Sequence, residues 1–441
     1  MASLKEKVFA QIDSMQDEIV QTTSELVQVR SVNPGYPGVD FDAEIGGETR
    51  ACEFLKSIYD GMRLEVGQWE IVEGRGNIAA VWKGSGGGQS LLHNGHVDTV
   101  PSGLPENWQS DDPFSGKVDD GRVYGRGSCD MKGPIVAQAM AIKALQACGV
   151  QLKGDVILSG TAGEENMDSA TIGAGTLVKQ GYKADAAIVS EASAPPYPLA
   201  VVPVSAGLWW VSITVGGKAS HASMRAETFR AGGLGAKVAV DAIDKGVFML
   251  NAIRKLENDW GITKRHPLFQ PGHFTLLPGV ITGGAHGVTV PFFISDYCTI
   301  EYCIWYHPDE EPEAVKQEFE TYIGRVAQTD SWLREHPPKL DWKVNWPAYK
   351  VDEGHPIVKA VVNAHNEAAV GTRFDIPAKI AGFAAVCDCA FLNRDGVPSI
   401  VYGPGSILLA HAPDEYVPID ELMTATKTYA LVTMNWCGVN R

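Results

Sequence analysis

Short apolar runs alternate with longer helical patterns along most of the chain. The runs NIAAVW, DVILSG, DAAIVS and PSIVYG, at residues 77–82, 155–160, 185–190 and 398–403, have the length and composition of buried β-strands. Helical patterns fall at 6–28, 134–148 and 172–180. This alternation predicts a doubly wound α/β domain with a mixed sheet. The glycine-rich stretch at 83–90 predicts a hairpin between NIAAVW and the run that begins at Leu91.

The pattern changes near Gly207. The run GLWWVSITVGG alternates like a half-exposed strand, and helical patterns follow at about 231–256 and 311–326, with two strands between them. The β-α-β-β-α-β order predicts a small antiparallel α+β domain of the ferredoxin-like kind. We therefore expect one α/β domain in two parts, residues 1–206 and 346–441, split by an inserted domain at 207–345.

Composition narrows the class of protein. The chain has 441 residues, of which 45% are hydrophobic and 20% charged, as in soluble globular proteins. Its net charge of -16 argues against nucleic acid and anionic membranes as partners. The first residues lack the apolar core of a signal peptide, and no stretch has the roughly 18 apolar residues of a membrane span. Eight scattered cysteines form no disulfide framework, so we expect a cytoplasmic protein.

Ionisable side chains follow the predicted strands of the α/β domain. They are His96, Asp98, Glu164, Glu165, Glu191 and His411. Ligands of open α/β sheets bind outside the carboxyl ends of the strands, so these groups are expected to meet at one edge. Asp130 is a further candidate, because Gly125 and Gly127 before it allow a close approach of the backbone.

Two histidines and three carboxylates form a ligand set typical of zinc, manganese or cobalt. Asp98 is expected to orient His96 by accepting its second ring N–H. Neighbouring residues in extended backbone point in opposite directions, so one glutamate of the Glu164–Glu165 pair can bind metal. The other can then act as general base toward a metal-activated water.

Each motif by itself also has a purely structural interpretation. An HxD pair is commonly a satisfied polar pair, and two adjacent glutamates are commonly solvated charge. His93 lies inside its predicted strand and is expected to be a core residue. Other catalytic classes fit poorly, because the chain has no GxSxG elbow and no Walker loop. Cys129 is a weak nucleophile candidate, since the anion of Asp130 beside it disfavours the thiolate.

Taken together, the motifs resemble a known enzyme family. NGHVDTVP, GRVYGRGSCDMKG, GTAGEEN, SEAS, GGKASHAS, YGPG and AHAPDEYVPID are similar, in this order, to motifs of the acetylornithine deacetylase and succinyl-diaminopimelate desuccinylase family. That family belongs to the di-zinc clan of aminoacylases and glutamate carboxypeptidases. The resemblance covers nearly the whole chain and implies a dinuclear metallohydrolase of amide bonds, deacylase-like or carboxypeptidase-like, with two divalent metal ions.

The resemblance also implies a role for each site residue. Its metal ligands are His96 and Glu191 for one ion, Glu165 and His411 for the other, and Asp130 as the bridge between them. Glu164 is implied to be the general base and Asp98 to orient His96. His221, in GGKASHAS of the inserted domain, is implied to reach across a homodimer and stabilise the oxyanion of the neighbouring subunit.

The sequence departs from the family at three positions. Val288 stands where many members have an asparagine, and Trp305 and Ala390 stand where many have arginines that bind a substrate carboxylate. These departures, with the lid aromatics Trp209 and Trp210, favour an apolar or aromatic substrate. Two alternatives remain open at this point: the same scaffold acting on a non-peptide substrate such as an aromatic amine or a xenobiotic amide, and a non-catalytic metal-binding homologue.

Overall fold

The computed structural model describes residues 3–110, 112–193 and 196–440. The strands are β1 Glu65–Glu70, β2 Gly76–Trp82, β3 Leu91–His96, β4 Val118–Asp119, β5 Arg122–Tyr124, β6 Val156–Thr161, β7 Ala186–Val189, β8 Val201–Ser205, β9 Gly207–Gly216, β10 Ser220–His221, β11 Leu276–Gly284, β12 Phe293–Ile294, β13 Tyr297–Tyr306, β14 Lys339–Trp346, β15 Ile380–Phe383, β16 Ser399–Val401 and β17 Tyr416–Pro418.

The α-helices are interspersed with these strands along the chain. They are α1 Leu4–Ser14, α2 Gln16–Gln28, α3 Phe41–Glu44, α4 Gly47–Gly61, α5 Gly133–Ala147, α6 Ser169–Ile172, α7 Arg225–Phe229, α8 Ala242–Thr263, α9 Pro312–Ala327, α10 Pro356–Ala368, α11 Cys389–Arg394 and α12 Ile419–Cys437. In the described ranges, no helix combines the length and apolarity needed to cross a bilayer.

The chain folds into two compact units. The first is formed by the chain up to Ser205 together with the chain from Tyr349 onward, and the second by Ala206–Ala348. The first unit contains an eight-stranded mixed sheet in the order β1-β2-β6-β3-β7-β16-β8-β15. Its four central strands β6, β3, β7 and β16 run parallel to one another. The α/β fold class with an inserted α+β unit is confirmed.

Burial explains the apolar sequences of the inner strands. Every residue of β3 and β6 is buried, as expected for parallel strands covered on both faces. The helix α5 is apolar on nearly all sides and begins with Pro134 in its first turn, where a missing N–H costs nothing. It packs with α12, which is also largely buried, so these helices form much of the core beside the sheet.

The second unit has one antiparallel sheet in the order β11-β13-β9-β14, with the helices α8 and α9 packed on it. In β13 buried and half-buried residues alternate, because one face of the sheet meets these helices. Trp209 is part of this core at 8% exposure, whereas Trp210 and Trp305 are half-buried.

The hairpin predicted at 83–90 is wrong. The strand β6 lies between β2 and β3 and pairs with both, antiparallel to β2 and parallel to β3. The glycines instead let this segment run against the start of β6: a Cβ on Gly84 would lie 2.3 Å from the carbonyl oxygen of Lys153, and one on Gly88 would lie 2.4 Å from the nitrogen of Gly154.

Three predicted helices differ from the structure. The pattern at 6–28 forms two helices, α1 and α2, which meet at the buried Met15. The pattern at 172–180 forms no continuous helix: α6 ends at Ile172, a short 3-10 turn covers Ala174–Thr176, and Gly173 between them has no room for a side chain beside the carbonyl of Ala162. The helix expected from 231 begins at Ala242, where the side chain of Asp241 caps it.

Candidate metal centre and active site

The sheet order brings the sequence-predicted ligands to one edge. His96 is the last residue of β3, Glu165 follows β6, and Glu191 follows β7. Since β6, β3 and β7 are parallel neighbours, their carboxyl ends lie side by side. His411 arrives from the long connection after β16, the next parallel strand, and has the unusual positive φ of 63°.

Asp130 lies between the two histidines. Its Oδ1 is 3.0 Å from Nε2 of His96, and its Oδ2 is 3.5 Å from Nε2 of His411. Glu191 lies 3.6 Å from the same nitrogen of His96, and Glu165 lies 3.1 Å from that of His411. The five side chains therefore form two groups that share one carboxylate.

Three of these residues lie close enough to bind one ion. Within the described ranges, they form the one group of histidine and carboxylate side chains whose nitrogen and oxygen atoms all lie within 4.8 Å of one another: His96, Asp130 and Glu165. Carboxylate oxygens and imidazole nitrogens are donors that suit zinc, manganese and cobalt. The donor set at this edge therefore fits divalent metal ions.

The electrostatics of the cluster lead to the same conclusion. Burial raises the pKa of Glu191 well above its ordinary value, and the charge of Asp130 adds to the effect. Burial by itself would lower the pKa of His411, but hydrogen bonds with Asp130 and Glu165 raise it to about 11. A proton on His411 would balance the charge of these carboxylates, and a bound cation would do the same.

Glu164 has different surroundings from its neighbour Glu165. Burial raises the pKa of Glu164 well above its ordinary value, and the nearby charge of Glu191 acts in the same direction. Burial also raises the pKa of Glu165, but its Oε1 atom accepts the backbone N–H of Val100 and its Oε2 faces His411. A half-buried carboxylate with a raised pKa beside these candidate metal ligands is suited to accept and return a proton.

Asp98 makes different contacts from those predicted. The Nδ1 atom of His96 lies 2.9 Å from the backbone carbonyl oxygen of Asp98 and 3.7 Å from its carboxylate. The carboxylate accepts the backbone N–H groups of Glu164 and Glu165, at 3.3 and 3.0 Å. In this structure Asp98 therefore holds the turn that carries the two glutamates, and its carbonyl orients His96.

Two buried acidic residues beside the site were not identified from the sequence. Glu415 is fully buried and accepts the backbone N–H groups of Cys129 and Asp130, with Arg126 as its ion-pair partner. The only sequence signal for Glu415 was its position in the motif AHAPDEYVPID.

Burial and the charge of Glu415 raise the pKa of the Cys129 thiol well above its ordinary value. This agrees with the expectation that Cys129 is a weak nucleophile.

Asp388 is the second of these residues. Its carboxylate accepts hydrogen bonds from the hydroxyl groups of Thr161 and Ser169, at 3.2 and 2.5 Å. Burial raises its pKa to about 6. In the sequence Asp388 stands between two cysteines, a context that gave no indication of a role beside the site.

The remaining candidates have other surroundings. His93 is a core residue, as expected: its ring packs edge-on against Tyr429, and burial lowers its pKa to about 3. His221 belongs to the second unit, where it is exposed on β10 and its Nδ1 lies 2.8 Å from the hydroxyl of Ser223. Ala390 is buried in α11.

Known proteins are similar to this chain in sequence and in fold. The family profile described as "Peptidase family M20/M25/M40" matches residues 92–435. An N-formyl-4-amino-5-aminomethyl-2-methylpyrimidine deformylase of Halalkalibacterium halodurans is 30% identical, with 100% of this chain and 99% of the relative covered. A probable succinyl-diaminopimelate desuccinylase of Staphylococcus aureus is 24% identical, with 89% and 96% covered. The crystal structure of human carnosine dipeptidase 1 matches the fold with a TM-score of 0.74, at 16% identity and with 99% of each chain covered.

Proposed function

The chain belongs to peptidase family M20/M25/M40 and is a metal-dependent hydrolase of carbon–nitrogen bonds. From this premise we propose that it removes a short acyl group from an amine carried on an aromatic heterocycle. We propose formyl as the preferred acyl group. The observation that carries the proposal is the placement of Asp130 between His96 and His411, at the sheet edge where Glu164 follows β6.

The site residues divide into metal ligands and groups that handle protons. His96 and Glu191 would hold one divalent cation, Glu165 and His411 the other, and Asp130 would contact both. The cations, which we propose to be zinc, supply Lewis acidity and lower the pKa of water. Retention of the base Glu164 beside a full set of ligands supports a catalytic protein over a non-catalytic homologue.

Glu164 provides the proton transfers of the proposed reaction. Its carboxylate accepts a proton from the attacking water as the new C–O bond forms at the amide carbonyl. It then returns that proton to the nitrogen as the C–N bond breaks, so the products are a carboxylic acid and a free amine. Asp98 keeps the turn of Glu164 in place through the backbone N–H groups.

The proposed substrate class rests on two independent features. The full-length relative from Halalkalibacterium halodurans is named as a deformylase of an aminomethylpyrimidine. In addition, Trp305 and Ala390 replace the arginines by which many family members bind a substrate carboxylate. An N-formyl amine on a heteroaromatic ring has no such carboxylate.

We also propose that the protein is a homodimer joined through the second unit. The strand β11 is at the edge of its sheet and exposes Leu277, Val280 and Ile281, each by more than half of its surface. Beside it, Ile243 and Val247 of α8 are also exposed. An unpaired edge strand next to apolar side chains is a surface that a second copy can cover around a two-fold axis. His221 would then serve the active site of the other copy, where it would donate to the oxyanion.

The eight cysteines support a cytoplasmic location as part of the proposal. All eight are free thiols in the structure, and most are buried. A chain that keeps this many unpaired thiols suits a reducing compartment.

A substrate panel on the metal-loaded protein tests the proposal. The panel combines formyl, acetyl and succinyl groups with either an aminomethylpyrimidine or an amino acid, and free amine is the readout. We expect the N-formyl aminomethylpyrimidine to be cleaved best, and Glu164→Gln to abolish the reaction while the exposed control Glu313→Gln keeps it. Preferential cleavage of N-acyl amino acids would refute the substrate class, and cleavage of no amide would refute the hydrolase.

A further inference from the structure

A short N-terminal segment is fastened alongside the segment that follows β3. The hydroxyl of Ser31 donates to the carbonyl of Val97 at 2.6 Å, and the N–H of Thr99 donates to the carbonyl of Ser31 at 3.0 Å. The N–H of Asn33 then donates to the carbonyl of Thr99 at 2.9 Å. These bonds fix Asn33 next to Asp98.

The side-chain amide of Asn33 is completely buried and uses both its donor and its acceptor atoms. Its Nδ2 donates to Oδ2 of Asp98 at 2.7 Å and to Oδ1 of Asn166 at 3.0 Å. Its Oδ1 accepts the N–H of Gly35 at 2.9 Å. This pattern needs two donors and an acceptor on one short side chain, which asparagine provides and aspartate does not.

The contacts continue from Asn33 to the two glutamates of the site. Asp98, which Asn33 holds on one side, accepts the backbone N–H groups of Glu164 and Glu165. Asn166, which Asn33 holds on the other side, directly follows Glu165 in the chain. Space here is tight, since a Cβ on Gly35 would lie 2.2 Å from Nδ2 of Asn166. One amide thus fixes the turn of Glu164 and Glu165 at two points.

We infer that Asn33 is a positioning residue for the hydrolysis, which acts by fixing the Glu164–Glu165 turn through Asp98 and Asn166. The inference rests on the proposed role of Glu164. Asn33 lies before residues 92–435, so the match to the family profile does not assign it. A proton acceptor works only within a narrow range of positions, and loss of a supporting hydrogen bond typically costs about 10- to 100-fold in activity.

Two variants and a matched control test the role by kinetics. Asn33→Ala removes the three side-chain bonds, and Asn33→Asp places a carboxylate oxygen against that of Asp98. The control is Asn393→Ala, which removes three hydrogen bonds to backbone near the end of α11 in the same unit. With metal in excess, we expect both Asn33 variants to keep their KM while kcat falls by about 10- to 100-fold, with the larger fall in Asn33→Asp. The control should keep kcat.

Hydrogen exchange of the metal-loaded proteins tests the geometry without any reaction. The backbone N–H groups of Glu164 and Glu165 should exchange faster in Asn33→Ala than in the wild type and in Asn393→Ala. Unchanged exchange in peptides that cover 161–168, or a kcat equal to that of the control, would overturn the inference. If the wild type cleaves no amide, the proposed function fails, whereas the exchange experiment still decides whether Asn33 fixes the turn.

Discussion

Glu415 accepts the backbone N–H of Asp130 at 3.2 Å through the same oxygen that accepts the N–H of Cys129. Its other oxygen binds Arg126 at 2.5 Å. Glu415 also lies in the same loop as His411. One buried carboxylate therefore supports the segments that carry two of the proposed ligands.

Replacement of Glu415 by glutamine should weaken metal binding. A glutamine carbonyl can accept from the backbone N–H groups or from Arg126, but it cannot serve both as the carboxylate does. We expect Glu415→Gln to lower the metal affinity by about 10- to 100-fold, measured by competition with a chelator. The control Glu44→Gln breaks an ion pair with Arg30, whose side chain is half exposed. Equal affinity in Glu415→Gln and the wild type would contradict the role.

The adjacent glutamates should respond differently to substitution. Glu164→Gln removes only proton transfer, so it should retain the metals and lose about 10²- to 10⁴-fold in kcat. Glu165→Ala removes a proposed ligand and should lower the metal content, measured by elemental analysis of the purified proteins. Equal metal loss in the two variants would show that the roles are wrongly assigned.

Acid should destabilise the fold partly through the buried His365. This residue is 2% exposed, and burial lowers its pKa from 6.5 to about 4. The unfolded chain therefore binds a proton at a higher pH than the folded chain. The stability that neutral His365 contributes is present above pH 6.5 and is lost as the pH falls toward 4.

His365→Asn should remove this dependence, because asparagine can still bond the hydroxyl of Tyr402 and does not titrate. Between about pH 7.5 and pH 5, the wild type should lose about 2 kcal/mol more of its free energy of unfolding than the variant. Urea unfolding followed by circular dichroism measures the difference. The exposed control His286→Asn should follow the wild type, and a His365→Asn variant that does the same would exclude the effect.

Mixed dimers test the proposed role of His221. Glu164→Gln and His221→Ala should each be nearly inactive alone. After subunit exchange, half of the dimers are mixed. If His221 acts across the interface, one of the two active sites in each mixed dimer contains both Glu164 and His221. Roughly a quarter of the wild-type activity should therefore return. If mixed dimers form and activity stays at background, His221 does not act across the interface.

The sequence by itself was sufficient for the fold class and for the ligand candidates. Buried parallel strands are continuous apolar runs, and such runs are visible without any partner. The residues that end them, such as His96 and Glu191, stand out because histidines and carboxylates are costly in buried positions. Candidate metal ligands can therefore be identified from the short sequence that follows each strand.

Only the tertiary structure decided which strands are neighbours and what supports the ligands. The strand β6 lies between β2 and β3, so the glycine-rich segment 83–90 does not form the predicted hairpin. Its backbone instead packs closely against the segment before β6. Asn33 and Asp98 are 65 residues apart, and Glu415 and Asp130 are 285 apart. Single hydrogen bonds between such distant residues follow no periodicity and have no local signature, because they exist only once the packed core brings the segments together.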